Sequence, residues 1–169
     1  SQEGPDFKPS ENKGKPIKGL VAPTYDLKQA GPIYAWAYKE LQEAQQPEVL
    51  IIIGTANAGL ENLFAVTDKD FETPLGVVRV DRTIVDRLQT LVPEYFVEDI
   101  AHVSEHAIEF QLPFVQTNTG ASKPFTIVPI LSSFSAMSLG DQTVRASVDR
   151  FIAALRAAIT ASEKTVCVI

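Results

Sequence analysis

Side chains capable of acid–base chemistry occur together in the stretch SEHAIEF, where Glu105 directly precedes His106. A carboxylate beside an imidazole can move protons near neutral pH, so this pair is a candidate for general acid–base catalysis. The alternative is structural: Glu105 lies in the first turn of a helix, where the helix dipole favours negative charge, and His106 hydrogen-bonds a neighbouring loop. We favour the structural interpretation because the pair has no identifiable partners. His102, one turn earlier, is interpreted as a packing residue.

Polar side chains also follow two apolar runs that are typical of buried strands. Thr24, Tyr25 and Asp26 follow GLVAP, and Asn57 follows EVLIIIG. The carboxyl ends of parallel strands meet at one edge of a sheet, which is where such folds place their sites. Thr24, Tyr25 and Asp26 neither cradle a phosphate nor bind a soft metal well. Asp26 is a candidate cleft carboxylate, although an Asp in such a turn more often caps backbone N–H groups.

Composition limits the classes of function that the chain can have. Its 169 residues are 45% hydrophobic and carry a net charge of −6, and the 15 basic residues are scattered, which argues against a nucleic-acid surface. No run reaches the roughly 18 apolar residues of a membrane span. The single cysteine, Cys167, excludes an intrachain disulfide and a thiolate zinc site, and we expect a buried, unreactive thiol. No dinucleotide-binding or P-loop glycine pattern follows any predicted strand.

The order of the segments predicts a polar N-terminal arm over residues 1–17 and a single α/β domain over residues 18–169. Four apolar runs, near 18–22, 48–53, 125–131 and 165–169, alternate with amphipathic helices, which predicts a mostly parallel central sheet with helices on both faces. Residues 64–80 predict an excursion of hairpin-like strands. Because a domain seldom ends on a core strand, we expect the polypeptide to continue past Ile169. The start at Ser1 leaves open whether a leader was removed.

The helical segments predict where the central strands are covered. Pro32 is placed in the first turn of a helix over 33–45 whose inner face includes Trp36 as a core anchor. Asp81 is the predicted N-cap of the next helix. Ser104 is the predicted start of a third helix that Pro113 strains or ends. A long amphipathic helix over 138–162 precedes the last strand.

Several of these segments together resemble the Memo-like family, whose fold is related to that of class III extradiol dioxygenases. GLVAP…GPIYAWAYKEL looks like the opening of that family, and LIIIGTANAGL is similar to a strand that the family follows with G-P-N-H or G-P-S-H. FETPLGVVRVD resembles the ETPLG…VD segment of the family closely. AHVSEHAIEFQLPFVQ resembles the motif AH-x-x-EH-S-x-E-x-QLPF-x-Q almost letter for letter. FTIVPILS continues the pattern.

The chain departs from the family motif at the positions that bear chemistry. Where the family has a metal-ligand type of His after the first Pro, this chain has Thr24, and at the second strand end the family's His falls on Asn57. A third ligand-type position lies in the C-terminal part of the family, beyond Ile169. Neither Thr nor Asn replaces a neutral imidazole as a ligand for iron, copper or zinc. The resemblance therefore implies a degenerate metal site and no cofactor.

Three functions follow from this comparison. We favour a non-catalytic family member that binds a small molecule, a peptide or a partner protein in the cleft formed by Thr24, Asp26, Asn57, Glu105 and His106. The alternatives are a metal-independent enzyme that uses Glu105 and His106 as its acid–base pair, and a non-haem metal-dependent dioxygenase-like enzyme completed by residues outside this chain. A cytoplasmic location is favoured, with export as the alternative. The oligomeric state is not encoded in any recognisable pattern.

The same comparison predicts a geometry. Thr24, Asn57 and His106 lie on three different segments and should converge in space, because parallel strands place their carboxyl ends on one edge. His106 should be partly buried, with its ring hydrogen-bonded to a neighbour.

Overall fold

The computed structural model describes residues 4–6, 8–24, 26–119 and 124–169. The longer elements alternate between strand and helix along the chain. In chain order, they are α1 (Leu27–Glu43), β1 (Val49–Thr55), β2 (Phe64–Val66), β3 (Phe71–Thr73), β4 (Gly76–Val78), α2 (Arg82–Leu91), α3 (Ala101–Ser104), α4 (Leu112–Thr119), β5 (Thr126–Ser132), α5 (Gln142–Ser162) and β6 (Val166–Val168). Short 3₁₀ helices lie at Pro93–Phe96 and Ser138–Gly140.

The central sheet has four strands in the order β2-β5-β1-β6. Strand β1 runs parallel to both neighbours, with Ile51 opposite Val128 of β5 and Val168 of β6, while β2 is antiparallel to β5. The first four residues of β1 are buried, as a strand covered on both faces requires. The prediction of a mostly parallel α/β sheet is confirmed.

The first predicted strand joins this sheet only as a short bridge. Gly19 pairs with Val168 in parallel, and Val168 donates a backbone hydrogen bond to the carbonyl of Lys18 at 3.0 Å. Segment 64–80 divides in two: β2 enters the central sheet, whereas β3 and β4 form the predicted antiparallel hairpin, with Phe71 opposite Val78. The sheet therefore gains a strand that the sequence pattern assigned to the excursion.

Helix α1 begins earlier than predicted and buries a different face. Its N-cap is Asp26, whose side chain accepts a hydrogen bond from the backbone N–H of Lys28 at 2.7 Å, so Pro32 lies inside the helix instead of at its start. The helix turns Tyr34 and Tyr38 into the core, and Trp36 remains 47% exposed. The prediction that Trp36 anchors the core is wrong, because the tyrosines occupy the inner face.

The third predicted helix is two helices separated by turns. Helix α3 ends at Ser104, where the sequence predicted a start, and Glu105 adopts an extended conformation with φ −101° and ψ 130°. Helix α4 then begins at Leu112, so Pro113 stands in its first turn, where a missing N–H costs no helical hydrogen bond. The predicted cap at Asp81 is confirmed, since its side chain accepts from the N–H of Ile84. The break after Ser104 brings Glu105 to the site described next.

Candidate functional site

The Glu105 carboxylate connects α3 to the carboxyl end of β1. One oxygen accepts a hydrogen bond from the backbone N–H of Ala58 at 2.8 Å, and the other accepts from Nδ2 of Asn57 at 3.3 Å. Glu105 is 8% exposed, and a buried carboxylate is stable only when donors of this kind surround it. The structure thus brings together Glu105 and Asn57, two of the predicted site residues, although they are 48 positions apart in the chain.

The segment after Glu105 packs directly on the backbone of β1. A Cβ placed on Gly54 would lie 2.7 Å from the Cβ of Ala107, well inside normal contact distance. Gly54 therefore permits the close approach that carries Glu105 over the end of the strand. In the sequence, Gly54 is the last residue of the apolar run EVLIIIG, and a glycine inside a strand is the signal that could have indicated this contact.

Gln111 ties the opening loop to the same segment. Its Nε2 donates to the carbonyl of Pro23 at 3.0 Å and to that of Ala107 at 3.2 Å, and its Oε1 accepts from the Tyr38 hydroxyl at 2.7 Å. Gln111 is 2% exposed, and burial raises the pKa of Tyr38, so the phenol stays protonated and donates. Sequence analysis did not name Gln111 or Tyr38 as site residues, although Gln111 is the Gln of the QLPF motif.

Two predicted residues of the opening loop are exposed at this edge. Thr24 follows Pro23, the residue held by Gln111, and Asp26 caps α1. The capping interpretation of Asp26 is confirmed, whereas its contact with a ligand stays a prediction, as does the direct convergence of Thr24 with the other side chains. Tyr25 lies outside the described residues.

His106 does not share the environment of Glu105. Its side chain is 61% exposed, and its Nδ1 lies 3.0 Å from a carboxylate oxygen of Glu109. The expected hydrogen bond from the ring to a neighbour is confirmed, but the expected partial burial is wrong, because the turn after Ser104 points this side chain to solvent. Adjacent in sequence, Glu105 and His106 are thus held by different partners.

His102 has the packing role expected for it. It is 7% exposed, and its Nε2 lies 3.2 Å from the carbonyl oxygen of Ala65 on β2. A carbonyl only accepts, so Nε2 carries the hydrogen and Nδ1 presents a lone pair. Burial lowers the pKa of His102, against the opposing effects of the Ala65 carbonyl and of Asp99. The ring is consequently neutral at pH 7.

The donor atoms at the strand ends do not fit a transition metal. Thr24 offers a hydroxyl, and Asn57 offers an amide whose nitrogen already donates to Glu105. Across residues 4–6, 8–24, 26–119 and 124–169, no group of three or more His, Cys, Asp or Glu side chains is placed to hold an ion. Cys167 is fully buried, and burial raises its pKa to about 11, so it is the inert thiol that was predicted. We therefore derive no chemistry through a metal.

Within the part of the chain that the structure describes, no helix is long and apolar enough to cross a membrane.

Comparison with known proteins gives a consistent assignment. The family model described as "Memo-like protein" matches residues 3–163. A MEMO1 family protein of Methanobrevibacter smithii is 36% identical over 166 residues, which cover 98% of this chain and 55% of that protein. A MEMO1 family protein of Methanopyrus kandleri is 34% identical over 148 residues, covering 86% of this chain and 52% of the relative. The chain spans about half the length of these curated relatives. It belongs to the Memo-like family.

Proposed function

We propose that this chain is a non-catalytic member of the Memo-like family with a degenerate metal site. It binds a small molecule, a peptide or a protein partner in the cleft at the carboxyl ends of the strands. The residues proposed to line this cleft are Thr24, Asp26, Asn57 and Glu105, whereas His106, which the sequence also predicted for it, is directed to Glu109 and to solvent. The proposal concerns the part of the protein present in this chain, which is about half of its relatives' length.

The observation that carries the proposal is that the Glu105 carboxylate is hydrogen-bonded to the loop after β1. Both of its carboxylate oxygens accept hydrogen bonds, from the backbone of Ala58 and from the amide of Asn57. A carboxylate held by two donors of the same loop fixes the residues that follow β1 against the segment that follows α3, which is a structural role. The side chain at the second ligand-type position is in turn occupied with this structural bond.

The acid–base alternative has less support from the geometry. An acid–base pair must face a common substrate, whereas His106 is directed to Glu109 and is largely exposed to solvent. The hydrogen bonds of Gln111 supply what a binding cleft needs instead. They fix the loop before Thr24 relative to the segment that carries Glu105, so the cleft is organised before a ligand arrives.

Metal analysis of the purified chain tests the degenerate site. After incubation with Fe²⁺ under anaerobic conditions, Cu²⁺ or Zn²⁺ and removal of free ions, we expect far less than one ion per chain by elemental analysis. The double variant Thr24→His/Asn57→His restores the family's imidazoles and is expected to gain affinity only when the third ligand is also supplied, here as free imidazole in the buffer. One ion per wild-type chain, lost on substitution of Thr24 or Asn57, would overturn the proposal.

Ligand-detected binding tests the cleft. A defined set of small carboxylic acids, aromatic alcohols and tripeptides is titrated into the ¹⁵N-labelled chain, and amide shifts are recorded. We expect the shifts to concentrate at Thr24, Asn57 and Ala58, with the bound compounds recovered unchanged. Turnover of a bound compound that is abolished by both Glu105→Gln and His106→Gln would favour the acid–base alternative. Shifts confined to the opposite end of the sheet would contradict the proposed cleft.

A further inference from the structure

The polar N-terminal arm lies along helix α1. Its described part is called the strap and comprises residues 4–6 and 8–16. The ammonium of Lys39 on α1 donates to the carbonyl oxygen of Asp6 at 2.8 Å and to that of Lys8, and it lies 3.4 Å from a carboxylate oxygen of Asp6. The Lys39 side chain is only 12% exposed, and its ammonium lies 5.7 Å from the centre of the Trp36 ring. A single cation of α1 therefore binds the strap at several acceptors.

Two carboxylates of the same helix hold the next part of the strap. Glu43 accepts a hydrogen bond from the backbone N–H of Ser10 at 2.6 Å. Glu40 accepts from the Ser10 hydroxyl at 2.6 Å and from the side-chain amide of Asn12 at 3.2 Å. Hydrogen bonds with one ionised partner are roughly twice as strong as neutral ones. Lys39, Glu40 and Glu43 together are therefore called the latch.

The other end of the strap is attached through backbone bonds near the end of α1. Gly14 donates to the carbonyl of Glu43 at 2.7 Å, and Gln45 donates to the carbonyl of Lys15 at 2.9 Å. Gly14 has a φ of +73°, a left-handed conformation that glycine adopts without steric cost. Backbone bonds hold this end, whereas latch side chains hold the part before it. The N-terminal part can therefore open while this end stays attached.

The strap contributes little to the hydrophobic core. None of its residues, 4–6 and 8–16, is buried, and its nonpolar residues are glycines and prolines. Segments with few buried contacts open at a lower free energy than the core does. For these residues, the hydrogen bonds to α1 are the contacts that keep the strap closed.

We propose that the strap opens and closes on the folded domain as a separate unit and that the latch, above all Lys39, sets this equilibrium. When closed, the strap supplies Pro5 and Asp6 to the wall of a cavity of about 500 Å³. The remaining wall comes from α1 and α4 and includes the half-buried side chain of Phe114. Opening removes one wall of this cavity and exposes the groove between the two helices. The strap thus controls access to that groove.

Limited trypsin digestion measures the opening. Lys8 and Lys15 precede proline, where trypsin does not cleave, so Lys13–Gly14 is the tryptic bond within the strap. Lys39→Met should accelerate cleavage at this bond at least about tenfold, the effect of losing one hydrogen bond to a charged group. Lys28→Met removes an exposed lysine at the start of the same helix and should change the rate less than about twofold. Equal cleavage rates in these two variants would refute the latch.

A second variant and the global stability separate opening of the strap from unfolding of the domain. Glu40→Ala removes the acceptor for Ser10 and Asn12 and should also accelerate cleavage, whereas Gln29→Ala, an exposed change on the same helix, should not. The urea midpoint of Lys39→Met should stay close to that of the wild type, because no residue of the strap is buried. A fall in the midpoint large enough to explain the faster cleavage would overturn the proposal. So would a wild-type strap that is cleaved as fast as the same sequence in a free peptide.

Discussion

Replacement of Gly54 by alanine tests how closely segment 105–108 must approach β1. The added Cβ would lie 2.7 Å from the Cβ of Ala107, whereas carbon atoms in contact are normally about 3.5–4.0 Å apart. The two segments would have to separate by about 1 Å. Overpacking of this kind costs about 1–3 kcal/mol of folding free energy. The same displacement would draw Glu105 away from the N–H of Ala58.

A double-mutant cycle isolates the clash from other effects. Ala107→Gly alone removes one buried methyl group and adds backbone freedom, at a combined cost of about 1–2 kcal/mol. If the two methyl groups are the cause, Gly54→Ala/Ala107→Gly should be about as stable as Ala107→Gly alone. The coupling free energy should then be about 1–3 kcal/mol.

Urea denaturation followed by far-UV circular dichroism measures all four proteins. Gly31→Ala is the control, because a Cβ at Gly31 meets no atom within 4 Å, and in helix α1 it should stabilise the protein by up to about 1 kcal/mol. If the free-energy costs of Gly54→Ala and Ala107→Gly sum to within about 0.5 kcal/mol of the cost of the double variant, the reasoning is refuted. So would a Gly54→Ala protein as stable as the wild type.

Three further predictions concern side chains that hold the site and the core. Asp81→Asn should lower the free energy of unfolding by about 2 kcal/mol, because the Lys164 ammonium, which lies 2.7 Å from the carboxylate, loses its charged partner. Urea denaturation measures this cost. In a Lys164→Met background, Asp81→Asn should no longer carry it. Burial lowers the pKa of His102, so the unfolded chain binds a proton more readily than the folded chain does. As the pH is lowered below about 6.5, the free energy of unfolding should therefore decrease, by at most about 1.4 kcal/mol per pH unit. His102→Gln should lack this component, and identical pH profiles would contradict it. Tyr38→Phe should cost about 1–2 kcal/mol by leaving Oε1 of Gln111 unpaired, and hydrogen exchange near Pro23 should accelerate.

The central sheet could be predicted because buried parallel strands leave an unambiguous pattern. Runs such as EVLIIIG are apolar on both faces, and only a strand between two helical layers requires that. The hairpin was likewise indicated by the turn residues within segment 64–80. By contrast, the three-residue strand β2 is too short to show a period, so its membership in the central sheet depends on pairing with β5, which local sequence does not reveal.

The error in α1 arises from partners that are distant in sequence. Tryptophan is the larger hydrophobic residue, yet Tyr34 takes the inner position because its ring stacks on Phe114 of α4 with centroids 4.6 Å apart. Tyr38 is fixed by the same ring and by Gln111. Helical periodicity records a face but cannot identify which residues on a neighbouring helix will meet it. The exposure of Trp36 follows from these contacts.

The candidate site shows the same limit of prediction from local sequence. Glu105 could be recognised from its motif, but its acceptance of the Ala58 N–H joins residues 47 positions apart and concerns a backbone atom that no side-chain pattern encodes. The second bond of Glu105 comes from the side chain of Asn57, and Gln111 donates one bond to the carbonyl of Pro23. The hydrogen bonds of Glu105 and Gln111 therefore join the opening loop, the end of β1 and the segment after α3 through side chains and backbone groups of this chain. Local sequence shows the motif that carries Glu105 and Gln111, but the partners of these two residues depend on how distant segments are brought together.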